Sequence, residues 1–354
     1  MTRHLRTGPA TARPTGARTV ARRLSLTRLT ATGALAGALL LTGCGAQEAL
    51  VGLRPAPVEK TESAPLDTEG ATAIAARLLA AAEAPVEGDA KAAAKARAEV
   101  LAGDALTVAD ARAARAPATA AATELAPAPE PTVVAQSQGR AWPRAILAAT
   151  LDQDTNTQFL HVMVSEKPDQ PFHIVSSVPM FGGAELPAIG AENAGAQLLD
   201  TGAANGLPVS PKDAVGAYAA AIAHPKPKAS DVVSVDDPFA AGLKATAAAQ
   251  TKALGKLGTL TQAHEPLLKN AVTFRLADGG AVTFGLMRRT DTMTVKPTAK
   301  ELVLPKEYAD VLGKKKVTKS LSLQSLEPFV MVVPKAGKAE LIGATELLAS
   351  GKGR

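Results

Sequence analysis

Cys44 is the one thiol in 354 residues, and the run Leu41-Thr42-Gly43-Cys44 sets it directly after an apolar stretch. Small residues ahead of a lone cysteine in that position suit cleavage of a leader and attachment of diacylglycerol to the sulfur, which predicts Cys44 as a lipid-attachment site. The remaining reactive groups are less organised. Past residue 44 the imidazoles are His161, His173, His224 and His264, and none stands in a His-Glu-x-x-His or other metal-binding spacing. His161 and His173 fall on neighbouring predicted strands, where a cross-strand packing pair is a commoner outcome than a zinc site, because no carboxylate accompanies them there. Asp152, Asp154 and Asn156 begin like a calcium loop, but Thr157 stands at the glycine position and Met163 at the position of the bidentate carboxylate, so a β-turn is expected instead. No Gly-x-Ser-x-Gly elbow and no phosphate loop occurs. Scattered acids such as Glu265 and Asp278 have no arrangement that favours catalysis. The sequence therefore predicts no catalytic residue, no metal and no cofactor.

The elements before Cys44 have the layout of an export signal. Residues 1–28 carry seven arginines and no acid, and an apolar stretch occupies 29–41. Its thirteen residues are too few to span a bilayer as a helix, which needs about 20. Residues 1–43 are accordingly read as a signal peptide. Arg22-Arg23 is preceded by Ala21 and followed by Leu24-Ser25-Leu26, which departs from the twin-arginine pattern and favours general secretion.

Charge has to be recounted without that leader. Removing its seven arginines from 39 basic residues leaves 32 against 33 acids, so the basic pI belongs to the leader and gives no reason to expect a nucleic acid partner. The remainder is polarised. Residues 44–204 hold 11 basic and 20 acidic groups, whereas 205–354 hold 21 basic and 13 acidic. Mutual attraction or solubility accounts for this most simply, and an anionic wall polymer or lipid headgroup facing the basic half is the sharper expectation. Lys314-Lys315-Lys316 is its densest point, although three lysines fall short of the 4 to 8 that polybasic recognition usually takes.

With Cys44 acylated no disulfide can form, so burial alone must hold the fold. One Trp, two Tyr and seven Phe leave the core to Leu, Val, Ile and Ala. Residues 44–69, with Pro55, Pro57 and Pro65 and no periodicity, read as a flexible tether. A first α+β domain is expected over 70–190. Ile74, Leu78 and Ala81 mark one helix, Asp89 caps a second that Gly103 terminates, and 106–116 adds a third. A Pro/Ala loop, 116–132, then leads to strands at 142–151, 159–165 and 172–178. The middle strand is apolar on both faces except at His161, so one face is expected on the helices and the other covered or lining a pocket.

After a linker at 191–208, a second α+β domain is expected over 209–354. Ser210-Pro211 and Asp237-Pro238 start helices, and strands follow at 258–265 and 271–287. Within the latter, Val272, Phe274 and Leu276 alternate on one arm and Val282, Phe284 and Leu286 on the other, around Asp278-Gly279-Gly280. A three-residue loop ending at Gly280 would pair Phe274 with Phe284 and Leu276 with Val282, and is preferred because it aligns the apolar faces. A short helix at 305–312, closed by Gly313, precedes strands at 320–326, 329–333 and 339–344.

Several of these pieces, Gly103-Asp104-Ala105-Leu106, Trp142-Pro143-Arg144, Pro171-Phe172-His173-Ile174-Val175 running into Gly183-Ala184-Glu185-Leu186-Pro187, and Asp278-Gly279-Gly280, resemble a family of uncharacterised actinobacterial lipoproteins. The resemblance covers most of the chain after Cys44. It implies a lipid-anchored protein on the extracytoplasmic face of the cell membrane, and two similar α+β units, each with N-terminal helices on a curved antiparallel sheet, like the cone of nuclear transport factor 2 or the cystatins. It brings no catalytic residue. The expected function is that of a non-catalytic binding or accessory protein at the envelope, its partners being the membrane through Cys44, envelope proteins, anionic wall polymer or an apolar ligand. The alternatives are a carrier of a lipid or small hydrophobic ligand, and a hydrolase or isomerase of the kind cone-shaped folds host.

Overall fold

Period-two apolar faces in both halves of the chain build two antiparallel sheets, and in the computed structural model one sheet lies on the other. Residues 63–84, 89–115, 130–190 and 194–354 are described; Cys44, the leader, most of the expected tether and the stretch 116–129 lie outside them. Backbone contacts divide the chain into Met1–Pro57, none of which is described, and a second unit, Val58–Arg354.

Three helices open the described part: α1 (Thr68–Glu83), α2 (Ala90–Val100) and α3 (Gly103–Arg115). Asp67 and Asp89 cap the first two, Asp89 accepting from the amides of Lys91 and Ala92 at 3.0 and 2.9 Å. Helix α1 buries Ala71, Ala75, Leu78 and Leu79, one stripe at helical spacing, whereas the alanine-rich α2 buries nothing. A four-stranded meander follows: β1 (Thr132–Gln136), β2 (Arg144–Asp152), β3 (Thr157–Ser165) and β4 (His173–Pro179). Strand β1 emerges directly from the Pro/Ala stretch, where sequence periodicity gave no sign of it.

The second half supplies α4 (Pro211–Ala221), α5 (Pro238–Leu254), β5 (Gly258–Arg275), β6 (Ala281–Val295), β7 (Leu302–Val303), α6 (Lys306–Leu312), β8 (Lys316–Val317), β9 (Ser320–Val333), β10 (Glu340–Ala344) and β11 (Leu347–Gly353). The larger sheet runs β10-β9-β6-β5, and β11 joins β9 beyond the end of β10. Pro328 sits at that changeover, its carbonyl accepting from Thr345, so its missing N–H falls where neither β10 nor β11 needs it. The stretches expected as separate strands at 320–326 and 329–333 are therefore one strand.

Four apolar clusters set the layers. Leu147, Leu160, Val162 and Val178 of the small sheet pack on Phe274, Val282, Phe284, Val330 and Val332 of the large one. The other face of the small sheet, with Ile146, Ala148, Met163 and Ile174, receives α1. The other face of the large sheet receives α4 and α5 over Met287, Phe329 and Met331, and α5 again with α6 over Leu260, Met293 and Leu323. The result is a helix, sheet, sheet, helix sandwich.

This corrects the expected pair of cones. The α+β class stands, with sheets of four, five and two strands and six helices among the described residues, but no sheet closes or curls into a cone. Periodicity reveals that a strand has an apolar face and leaves open what covers it. Here the two sheets cover each other, which is why β3 is apolar on both sides. The chain between them is also paired: Ala196 exchanges backbone bonds with Gln136 and Gln138 at the edge of the small sheet, and Leu199 donates to Thr273 of the large one.

The hairpin needs a second correction. Its register pairs Val272 with Phe284 and Phe274 with Val282, two residues from the expected alignment. Leu276 pairs with Gly280 across a three-residue loop in which Gly279, at φ 88°, takes the left-handed position and Asp278 accepts from the Gly280 amide at 2.8 Å. A two-residue shift keeps every side chain on its face. Phe274 and Phe284 consequently meet diagonally, edge to face, with ring centroids 6.3 Å apart. Strand β5 is moreover one arm from Gly258 to Arg275, with 268–271 bulging opposite Gly285. That bulge carries Asn270 to α3, where its amide donates to Asp104 Oδ1 at 2.9 Å.

Candidate functional site

The histidines singled out in sequence do not meet. His161 lies opposite Ser177 and His173 opposite Val164, and they project from opposite faces of β3 and β4, His161 toward α1 and His173 away from it. His161 is buried, with Nε2 2.9 Å from Thr150 Oγ1, and burial pushes its pKa down to about 4. It is a neutral core residue. Asp152 accepts from the amides of Asp154 and Thr155 at 2.9 and 3.0 Å and Asn156 takes φ 51°, which is the expected turn. Its bond from the Thr155 amide holds the Asp152 carboxyl below its ordinary range. Glu265 pairs with Arg288 along the hairpin arm, while Asp278 serves the tip, so those two acids form no site. Cys44 lies outside the described residues.

Sequence reasoning missed a polar layer between the large sheet and its helices. Gln262 and His264 follow Leu260 on the inward face of β5, and Arg289 and Asp291 lie opposite them on β6 between the buried Met287 and Met293. Glu327 of β9 completes the row. His264 Nδ1 is 2.8 Å from Glu327 Oε2, with both side chains fully buried. Arg289 reaches Asp291 Oδ1 at 3.0 Å, Glu327 Oε1 at 3.2 Å and the carboxylate of Glu346. Burial works against the charge on Arg289, yet these three carboxylates together raise its pKa. Burial raises the Asp291 carboxyl pKa, and Arg289 opposes that rise. Charged side chains at inward strand positions were the available sign, but the strand expected to end at Met287 gave Arg289 and Asp291 no inward face to violate.

Above this row the helices add a second polar pair. Tyr218 of α4, fully buried, donates to Asp237 Oδ2 at 2.8 Å, and Asp237 Oδ1 accepts from the Ala240 amide at 2.8 Å as the cap of α5. Burial first, then the nearby charges of Asp237 and Glu327, raises the pKa of the Tyr218 phenol and keeps it protonated. The His264–Glu327 pair has the composition of a general base with its orienting carboxylate. Both side chains are fully buried, however. The cluster ties β5, β6 and β9 to one another and to Glu346.

Three surface hollows surround this part of the fold. One of about 720 Å³ lies between the end of α4, the residues after it and the start of α5; Ile222, Pro227, Val235 and Ala241 wall it, and His224, Lys244 and the buried Gln262 supply polar groups. His224 is fixed there by backbone bonds to Gln262 at 3.1 and 2.8 Å and by a contact of 3.0 Å between its ring and Thr251 Oγ1. A second, of about 900 Å³, is lined by Asp200, Thr201, Lys212, Asp213 and Lys269, and a third, of about 460 Å³, lies on the other side of the β5 bulge. Of β3, Val164 lines the third hollow, and the rest of the strand packs on the large sheet and on α1. Among the described residues no group of three or more His, Cys, Asp or Glu is placed to hold a metal ion, and no helix is long and apolar enough to cross a membrane.

Fold and site together define a four-layer α+β protein with a sealed ionic layer and open hollows at its helical face. The chain matches the family described as Domain of unknown function (DUF8094) over residues 80–353, and it belongs to that family. The match runs through both sheets. No curated protein and no solved structure matches the chain.

Proposed function

We propose that this is a lipid-anchored protein of the extracytoplasmic face of the cell membrane that acts by binding a ligand or partner there. The observation that carries the reading is Cys44, placed after Leu41-Thr42-Gly43 at the end of an arginine-led apolar leader. The binding part is supported by the contrast between the two kinds of polar group in the fold: His264, Glu327 and Arg289 are locked on one another, whereas Gln262, His224 and Lys244 stand at an open hollow with apolar walls. Such a hollow suits a small ligand with an apolar body and a hydrogen-bonding head, which keeps a carrier role as the second reading.

Fractionation of cells making the full chain tests the anchor. The natural protein is expected with the membranes and labelled by palmitate, and Cys44→Ala is expected to lose both the label and the membrane fraction. Retention of Cys44→Ala on membranes with no label in either form would overturn it. Native mass spectrometry of the same purified protein reads the hollow: an added mass that Ala241→Trp removes supports the carrier, and an unchanged spectrum opposes it.

A further inference from the structure

The end of the large sheet away from the β5–β6 loop gathers cations from segments far apart in sequence. Lys296 donates its amide to Leu257, Lys319 accepts from Val295 and donates to Arg354, and Lys314 Nζ reaches the Gly353 carbonyl at 3.2 Å. These bonds bring the segments that carry Lys256, Lys296, Lys315, Lys319, Lys352 and Arg354 to one end of the sheet. All but Lys296 are exposed, and none of the six is in an ion pair among the described residues. Two acids of this end, Glu301 and Asp310, are already matched by Lys316 at 2.9 Å and Lys306 at 2.6 Å. Three consecutive lysines would be a solvated turn; with their neighbours from other segments they reach the charge count at which anionic surfaces are recognised.

Charge is half of the observation. The two most exposed large apolar side chains among the described residues, Val303 at 76% and Leu257 at 49%, are on this same end. Each stands beside lysines: Leu257 follows Lys256 and its carbonyl accepts from the Lys296 amide, and Val303 pairs with Lys316. One exposed valine needs no explanation, but apolar side chains standing out of a lysine field match a surface that meets a bilayer, with cations at the phosphates and apolar groups at the acyl boundary. A soluble polyanion would use the charges and leave Val303 and Leu257 in water. We propose that this end of the sheet, which carries Val303 and Leu257, docks on an anionic phospholipid surface. The proposal deepens the lipid-anchor reading and rests on it for the presence of a bilayer, and docking would orient the body on its anchor.

The test uses the full lipidated protein carrying Trp142→Phe and Val303→Trp, mixed with vesicles of brominated phosphatidylcholine with or without phosphatidylglycerol. Flotation reads the anchor, and quenching of the new tryptophan reads the docking. Flotation with both vesicle types, with most of the emission lost only in the anionic ones and regained at high salt or with Lys315→Glu plus Lys319→Glu, is the expected result. Flotation with both and no quenching in either, or equal quenching in both, overturns the docking and spares the anchor. Flotation and quenching with anionic vesicles alone support docking and overturn the anchor, and flotation with neither overturns both. Emission unmoved by vesicles but shifted by soluble polyphosphate would assign the surface to a wall polymer and also overturn the proposal.

Discussion

At the scale of single residues, His161 and Glu327 show what burial does to ionisable groups here. His161 titrates near 6.5 when unfolded and about 4 when folded, because burial disfavours the imidazolium. Its contribution is therefore intact above pH 6.5, falls as pH drops through that window, and levels off below 4, for a total of about 3 kcal/mol. Urea midpoints at pH 7 and pH 4.5 should differ less in His161→Phe than in the natural protein. Glu327→Ala takes from His264 its buried carboxylate and from Arg289 one of three, and is expected to cost ~3–5 kcal/mol in the same measurement. Replacing His264 and Glu327 together by leucine should cost less than the sum of the two single changes, since no unpaired charge remains within that pair. His161 was legible as the one polar residue on an apolar strand. Its partner was not, because Thr150 reaches it only through strand pairing.

At the scale of elements, local signals were read well and covering surfaces were not. Asp89, Ser210-Pro211 and Asp237-Pro238 start helices as expected, and Gly313 ends α6 at φ 63°, since a cap depends on the few residues beside it. The β5–β6 register was misjudged for an equally physical reason: slipping a strand by two residues leaves its apolar face unchanged, so alternation alone cannot choose. The close approach of the two sheets was invisible as well. Gly343 on β10 stands against β4, where an added Cβ would lie 2.5 Å from the Pro179 carbonyl oxygen. Backbone cannot yield as a side-chain tip does. Gly343→Ala is expected to lower stability by about 1–3 kcal/mol, readable as a drop in the melting temperature.

For the whole molecule, the shared core between the sheets has a cooperative consequence. Phe284 belongs to the second half of the chain yet packs in one cluster with Leu147 and Leu160 of the first. Phe284→Ala is expected to cost about 3–5 kcal/mol. Trp142, the single tryptophan, lies just ahead of β2, so its fluorescence reports the first half. If the sandwich unfolds as a unit, the fluorescence and far-ultraviolet dichroism transitions should shift together in the variant. A fluorescence transition left in place while dichroism moves would show that the halves fold separately.

The sequence by itself determined the α+β order of elements, the helix caps and the apolar faces of most strands, all of which depend on residues close together in the chain. Only the tertiary structure decided that the two sheets face each other, that Arg289, Asp291 and Glu327 converge on one buried layer, and that lysines from separate segments share one end of the large sheet. Pairing between strands, and packing of one layer on another, fix which distant residues become neighbours, and no periodicity along a single strand encodes that choice.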